Sequence, residues 1–321
     1  METKQEYWEG LAAGSFFLVA TAAMMLVTLA ILDLSGSDIA AQLNGWAGLA
    51  AAVLGAIGGL LLMVEAGNKT KAYLIVANPA SMASKNAIMM TSVIALAFIY
   101  ATFFFAFVPW AGLAGLRMMV AVLGIMAGLI AVMVPALELG EARGRAFWNS
   151  AALIPVFLIT AAVTGMAAVI LAAALMSVDG NAAIRIIDKV LLGFIILQLL
   201  SVWGYVRGME NSGAEEARRA AGNILHGDFK GCFWTGVIIL GTVVPLALYL
   251  LAGTSVILII KAVLLLMGGA CFRNVFLQAA VRKVVPGEEN EWYSREDIAQ
   301  LAAALEKRWQ EKAEVVCNER R

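Results

Sequence analysis

The chain has 321 residues, of which 62% are hydrophobic and 14% are charged, with a net charge of zero and a mean hydropathy of +0.85. Soluble domains carry about 25% charged residues, so this composition excludes a soluble globular protein and indicates an integral membrane protein. The net charge of zero gives no sign of a nucleic-acid partner, and none is expected.

Eight apolar stretches are long enough, at about 20 residues each, to cross the roughly 30 Å hydrocarbon core of a bilayer. They lie near residues 10–33, 44–66, 86–109, 113–137, 151–176, 184–206, 233–252 and 254–281. No basic segment precedes the first stretch and no small-residue cleavage pattern follows it. We therefore expect an all-α polytopic protein in which this stretch is the first membrane helix rather than a cleaved signal.

Residue types that bind metal cofactors are scarce. The chain holds one histidine, His226, and three scattered cysteines, Cys232, Cys271 and Cys317. A haem between helices usually takes two histidines, and an iron–sulfur cluster takes about four cysteines. We expect neither a haem nor an iron–sulfur cluster in this chain, no other metal, and cysteines that are isolated thiols.

Basic residues are distributed unevenly over the predicted loops. Twelve lie on the side of the N-terminus, here called the N-side: Lys4, Lys69, Lys71, Lys85, Arg143, Arg145, Arg207, Arg218, Arg219, Lys230, Arg282 and Lys283. Three lie on the opposite side, here called the far side: Arg117, Arg185 and Lys189. By the positive-inside rule, the N-side, with both termini and the long loops, is predicted to be cytoplasmic.

Weak internal similarity suggests two related four-helix bundles, residues 1–150 and 151–283, followed by a polar tail, residues 284–321. The second and sixth spans each end in a small polar hinge, "VEAGNKTK" and "VRGMENSG", before a short N-side segment. In the tail, Ser294 and Asp297 form a capping box at the start of a predicted amphipathic helix. Its apolar face is formed by Ile298, Leu301, Leu305 and Trp309. This helix is expected to lie on the membrane or on the protein's own loops, or else to dock a partner subunit.

Ionisable residues inside the spans are candidate functional groups, because charge is costly in hydrocarbon. Glu65 ends the second span, Glu138 and Glu141 end the fourth, and Arg273 lies about two turns inside the last. We expect Arg273 to pair with Glu65 or Glu138. The alternative for each of them is that the side chain extends to the membrane interface.

Polar residues of the second half give a candidate proton path, formed by Asp188, Lys261, Thr160 and Thr164. For Lys261, an interfacial anchor is an equally good interpretation. For the threonines, the alternative is a role in helix packing.

Four motifs in chain order are "NPASMASKNAI", "GRAFWNSAALIPVFLITAAVTG", "ILHGDFKGCFWTGVIILGTVVPLAL" and "LLMGGACFRNVFL". Together they resemble the polysulfide reductase membrane-subunit family (NrfD/PsrC-like), over the range from Trp8 to Arg273. The resemblance implies a multi-pass anchor in the prokaryotic cytoplasmic (inner) membrane that exchanges electrons with a quinone, menaquinone or ubiquinone. It also implies a ferredoxin-like iron–sulfur partner subunit and a molybdopterin catalytic subunit, as in anaerobic respiration.

By the same resemblance, the quinone pocket is expected at the N-side face, among the first four helices. The expected quinone-binding residues are Trp8, Gly14, Ser15, Glu65, Asn68 and Glu138, and the expected catalytic residues are Glu65, Glu138 and Arg273. The expected partner-docking residues are Asn78, Ser81, Arg143, Trp148, His226 and Trp234. For His226, proton exchange is the alternative role.

Two other functions remain compatible with the sequence. One is a secondary transporter with Arg273 or Lys261 at its substrate site, and the other is a purely structural anchor without quinone chemistry.

Overall fold

A computed structural model describes residues 10–65, 75, 78–142, 144–251 and 254–282, together with residues 303 and 306. Within these ranges every regular element is a helix and no strand occurs. The chain divides into two compact units, Met1–Arg282 and Lys283–Arg321. The amphipathic helix predicted in the tail lies almost wholly outside the described residues, which include only Ala303 and Glu306 from it, both helical.

Seven helices of the first unit are long and apolar enough to cross a membrane. They are α1 (Gly10–Leu34), α2 (Ala40–Glu65), α3 (Met82–Thr102), α4 (Ala114–Gly140), α5 (Leu153–Leu175), α6 (Ala182–Glu210) and α9 (Ser255–Gln278). They correspond to the first six predicted spans and to the last one. The expectation of an all-helical integral membrane protein is therefore confirmed.

The seventh predicted span, residues 233–252, differs from a regular membrane helix. Residues Cys232–Val243 form a π-helix, and Val244–Leu248 continue it as a short α-helix, α8. Pro245 stands in the first turn of α8 and has no backbone N–H to donate to the preceding turn. The combined element is shorter than the roughly 20 residues of a straight span. Helix length alone therefore does not establish the predicted count of eight spans.

Local sequence explains where several elements begin. The side chains of Ser81, Asn181 and Thr254 accept backbone N–H groups at the starts of α3, α6 and α9. The long N-side loop after α6 contains a further helix, α7 (Glu215–Leu225), as its composition predicts.

Helix α1 lies at the centre of the first unit, in contact with α2, α4, α5 and α9. Glycines allow its neighbours to approach closely. A Cβ atom on Gly165 of α5 would lie 2.4 Å from the Cβ of Met24, and one on Gly128 of α4 would lie 2.9 Å from the carbonyl oxygen of Ala23. The richness of the chain in small residues thus serves backbone packing around α1.

Polar contacts show which helix ends lie together. On the N-side, Asn86 at the start of α3 contacts Glu138 at the end of α4. On the far side, Arg117 at the start of α4 lies 3.1 Å from the carboxylate of Asp33 at the end of α1. Of the predicted functional residues, Glu65, Glu138 and Arg273 therefore lie in the N-side half, and Asp188 and Lys261 lie in the far-side half. Thr160 and Thr164 lie between them, in the middle of α5.

Candidate functional site

A narrow cleft opens between helices α1 to α4 and the end of α9, in their N-side half. It is lined by Ser15, Phe16, Val19, Ala20, Leu62, Asn86, Met90, Ala131, Val132, Pro135 and Arg273. We call this set of residues the N-side cleft. Its free volume is about 10 Å³, which is room for roughly one water molecule. A larger ligand requires movement of the side chains that close it, among which Met90 is the most adaptable.

Ser15 supplies a polar group without a hydrogen-bond partner among the described residues. The residue is fully buried, and its hydroxyl oxygen makes no hydrogen bond there. A buried hydroxyl in this condition costs about 1–3 kcal/mol, so the site is more stable with a ligand or a water in hydrogen-bond reach.

A second polar contact joins two walls of the cleft. The side-chain amide of Asn86 donates a hydrogen bond of 2.7 Å to the carboxylate of Glu138. Asn86 is buried and lines the cleft, whereas Glu138 stands one turn beyond Pro135 at the N-side end of α4. This contact places a carboxylate between the cleft and the N-side surface.

Pro135 gives the same wall an acceptor. Proline has no backbone N–H, so Pro135 cannot donate to the carbonyl oxygen of Ala131, one turn earlier in α4. Both residues line the cleft. The cleft thus contains hydrogen-bond donors, at Ser15 and Arg273, together with an acceptor.

Arg273 is buried at 3% exposure in the wall that α9 contributes. Its guanidinium donates to the carbonyl oxygen of Phe157 at 3.3 Å and lies 3.9 Å from the centre of the Phe157 ring. The ion pairs among the described residues do not include Arg273, and the expected pairing with Glu138 is wrong. The physical reason is that Glu138 takes its hydrogen bond from Asn86, while Arg273 stacks on an aromatic ring of α5.

The remaining expected pocket residues lie around the cleft or outside the described chain. Gly14 precedes Ser15, and a Cβ atom there would lie 3.4 Å from Leu61. Glu65 is partly buried at the end of α2, one turn beyond Leu62. Trp8 and Asn68 lie outside the described residues. Asn86, Met90 and Leu62 were missed by sequence reasoning, although Asn86 is part of the "NPASMASKNAI" motif.

On the far side, Asp188 and Lys261 form an ion pair between α6 and α9. Lys261 is 3% exposed, and its ammonium lies 3.7 Å from the centre of the Tyr249 ring. The hydroxyl of Tyr249 donates to the backbone and side-chain oxygens of Asp188, at 2.8 and 3.0 Å. Lys261 is thus held inside the protein by a partner rather than extended to the interface.

Thr160 and Thr164 lie in the middle of α5 and bond mainly to their own helix. The hydroxyl of Thr160 donates to the carbonyl of Val156 at 2.9 Å, and that of Thr164 donates to the carbonyl of Ala161 at 3.0 Å. Thr164 also accepts a 3.1 Å hydrogen bond from Thr21 of α1. In the described part of the chain, no hydrogen bond connects either threonine with Lys261.

A polar cluster at the far side of the first four helices was not anticipated. Asn44 is fully buried and donates to the carbonyl of Leu29 at 3.0 Å and to the hydroxyl of Tyr100 at 2.7 Å. The ion pair of Asp33 with Arg117 lies at the same ends of the helices. A signal for this cluster is present in the sequence. Tyr100 near the end of one helix is followed by Arg117 near the start of the next, and the same pattern occurs in Tyr249 and Lys261.

The expected docking residues fall into exposed and buried groups. Asn78, His226 and Trp234 are exposed, and Trp234 also donates to the carbonyl of Leu225 at 3.1 Å. Ser81 caps α3. Trp148 is only 1% exposed and donates to the carbonyl of Phe276 at 2.8 Å. It is therefore a core residue, and its prediction as a docking residue is wrong. Arg143 lies outside the described residues.

Comparison with known proteins assigns the chain to a family. Residues 2–285 match the family described as "Polysulphide reductase, NrfD". No individual curated protein matches. Members of this family are membrane subunits of quinone-linked oxidoreductases and work with other subunits of redox complexes. Because the match covers most of the 321 residues, this chain belongs to the NrfD family of polysulphide reductase membrane subunits.

Proposed function

We propose that this chain is the quinone-reactive membrane subunit of an iron–sulfur oxidoreductase, with menaquinone or ubiquinone bound in the N-side cleft. Support comes from the polar groups that line an otherwise apolar slot between membrane helices. The Ser15 hydroxyl has no described partner there, and the Arg273 guanidinium is buried without a described counter-ion. A quinone has an apolar ring and two carbonyl oxygens, which accept hydrogen bonds from donors of these types.

Each polar residue of the cleft is proposed to have a separate role in quinone turnover. Reduction of a quinone takes two electrons and two protons, and a partner subunit supplies the electrons. Arg273 orients one carbonyl oxygen and stabilises negative charge on it, because a guanidinium has five N–H donors and the carbonyl of Phe157 accepts from one. Ser15 is proposed to donate a hydrogen bond from α1, and the carbonyl of Ala131 is proposed to accept one from a quinol hydroxyl.

Glu138 is the proposed proton-exchanging group. It ends α4 on the N-side and is held by Asn86, whose side chain also lines the cleft. A carboxylate at this position can pass a proton between the N-side surface and the bound quinone. Glu65, at the N-side end of α2, is proposed to take part in the same exchange.

A proton path through the second half is a further element of the proposal. Asp188 and Lys261 form its far-side end, with Tyr249 bonded to the same carboxylate. Thr160 and Thr164 stand at mid-membrane on α5, between that end and Arg273. Water is needed to bridge the intervals, because these threonines bond to their own helix.

The partners are proposed to be a ferredoxin-like iron–sulfur subunit and, beyond it, a molybdopterin catalytic subunit. The residues Asn78, His226 and Trp234 are exposed, and we propose that they contact the iron–sulfur subunit on the N-side. We place the protein in the prokaryotic cytoplasmic membrane, as two four-helix bundles with the π-helix and α8 as the seventh span.

The test is Glu138→Gln in the complete complex reconstituted in quinone-containing vesicles. Glutamine still accepts the hydrogen bond from Asn86 but does not exchange protons, so the complex is expected to assemble. Quinone turnover is expected to fall about 100-fold or more, the usual contribution of a general acid–base group.

Glu141→Gln is the matched control, because Glu141 is exposed one turn further along the same helix end. It is expected to turn over quinone at the wild-type rate. Wild-type turnover in Glu138→Gln, Glu65→Gln and the double variant would show that the carboxylates are interface residues and that the proposed site is wrong.

A further inference from the structure

A wide cavity lies on the far side, away from the N-side cleft. It has a volume of about 600 Å³ and is open to the surface between the start of α6, the end of α8 and the start of α9. Its lining combines charged residues, Asp179, Arg185, Asp188, Lys189 and Lys261, with apolar ones, Ile184, Leu192, Leu248, Leu251, Ile257 and Leu258. We call it the far-side pocket.

The charge of the far-side pocket is unusual for its position. The far-side loops and helix ends hold three bases, and two of them, Arg185 and Lys189, stand one turn apart on α6 at this pocket. The lining has three bases and two acids, a net charge of +1. Because bases are scarce on the far side, the presence of two of the three at one pocket indicates an anionic ligand.

Of the two acids in the pocket, Asp188 is paired with Lys261, so only Asp179 offsets the charge of Arg185 and Lys189. Asp188 is already engaged by Lys261 and by the hydroxyl of Tyr249. Arg185 donates one hydrogen bond of 3.0 Å to the carbonyl of Gly180 and keeps its other N–H groups. Lys189 is exposed and has no hydrogen bond or ion pair among the described residues. Two cations at the rim are therefore available to a ligand.

The apolar half of the pocket indicates what carries the anion. Leucine and isoleucine side chains line it, and strongly exposed apolar residues adjoin these lining residues in sequence. Leu250 is 88% exposed, Val256 is 64% exposed and Ile186 is 62% exposed. In a protein whose long helices cross a membrane, such side chains lie at the boundary between acyl chains and headgroups. A ligand that fits both halves has a phosphate and a hydrocarbon chain.

We propose that the far-side pocket binds the phosphate of an anionic phospholipid, with Arg185 and Lys189 contacting the phosphate and the leucines contacting an acyl chain. An arginine and a lysine one turn apart can both donate to one phosphate, because each carries several N–H donors and a positive charge. The site lies at the mouth of the Asp188–Lys261 pair, but its occupancy depends only on the chain being a membrane protein. It therefore stands whether or not the cleft binds quinone.

The test measures lipid binding to the purified full-length protein by native mass spectrometry. Dioleoylphosphatidylglycerol and dioleoylphosphatidylcholine, which have the same acyl chains, are added at equal concentrations. Wild-type protein is expected to bind phosphatidylglycerol with several-fold higher affinity. Arg185→Gln and Lys189→Gln are each expected to lower that preference about fivefold, the effect of one charge near a membrane surface.

Two matched variants control the experiment. Lys189→Arg keeps the charge and should keep the preference. Lys85→Gln removes an exposed lysine at the N-side start of α3 and should also keep it. Thermal unfolding of each variant verifies that it is folded.

Equal affinity of the wild-type protein for the two lipids overturns the proposal, and so does an Arg185→Gln, Lys189→Gln double variant that keeps the preference. An excess of inorganic phosphate separates the two sources of the anion. If it abolishes phosphatidylglycerol binding, the pocket is a site for free phosphate, and the lipid assignment is wrong.

Discussion

Arg273 is a buried cation whose described contacts are one carbonyl oxygen and two aromatic rings. Replacement by methionine keeps an unbranched apolar stem and removes the charge. Arg273→Met is expected to lower quinone turnover about 10–100-fold, because a hydrogen bond from a charged donor contributes about 1.5–3 kcal/mol. Its unfolding temperature should be unchanged or higher, because a desolvated charge is removed. Quinone turnover in the reconstituted complex tests the first expectation, and thermal unfolding of the purified chain tests the second.

Arg117→Met is the comparison variant for Arg273→Met. Arg117 is paired with Asp33, whose side chain is 5% exposed, so its removal leaves a buried carboxylate without its cation. This variant is expected to unfold at a lower temperature than the wild-type protein. If Arg273→Met behaves like Arg117→Met and turns over quinone normally, Arg273 is a structural residue.

The positions of Glu138, Ser15 and Arg273 near one cleft could be anticipated from motif order and from the cost of charge in a span. Their contacts could not. The bond between Asn86 and Glu138 joins residues 52 positions apart, and the stacking of Arg273 on Phe157 joins residues 116 positions apart. Such pairings depend on helix rotation, which a uniformly apolar sequence does not specify, because no polar face orients the helix.

At the scale of elements, the π-helix Cys232–Val243 is held against α9 by a contact between glycines. A Cβ atom on Gly268 would lie 2.2 Å from the Cα of Gly241, so alanine does not fit without a shift of backbone. Gly268→Ala is expected to destabilise the protein by about 1–3 kcal/mol, the usual cost of overpacking. Gly193→Ala, at an exposed helical position with no atom within 4 Å, should be neutral or slightly stabilising. Thermal unfolding of the two variants in the same detergent gives the comparison, and equal unfolding temperatures would contradict it.

Hydropathy predicted every long helix but not the π-helix. An apolar stretch of sufficient length is a local property, so α1 to α6 and α9 follow from the sequence. The irregular element depends on groups from elsewhere in the chain. The side-chain amide of Gln198 lies 3.4 Å from the carbonyl oxygen of Gly241, and α9 approaches through Gly268. Neither contact can be deduced from residues 233–252 alone.

At the scale of the whole molecule, the central place of α1 follows from its neighbours rather than from its own residues. Helix α1 is apolar on all sides, and 83% of its most apolar window is buried, whereas only 28% of the corresponding window is buried in α3 and in α6. What distinguishes α1 is that Gly58, Gly128 and Gly165 from three different helices face it. The sequence shows these glycines but not which helix they face.

The orientation of the protein in the membrane is predicted from the distribution of basic residues over the whole chain. Twelve bases on the N-side against three on the far side predict a cytoplasmic N-side. Green fluorescent protein fused after Arg321 should therefore fluoresce, and alkaline phosphatase fused at the same point should be inactive. Fusions after Asp179, in the far-side loop between α5 and α6, should give the opposite pair of results. Alkaline phosphatase activity after Arg321, together with fluorescence after Asp179, would reverse the assignment and place the N-side cleft and its partner subunit outside the cytoplasm.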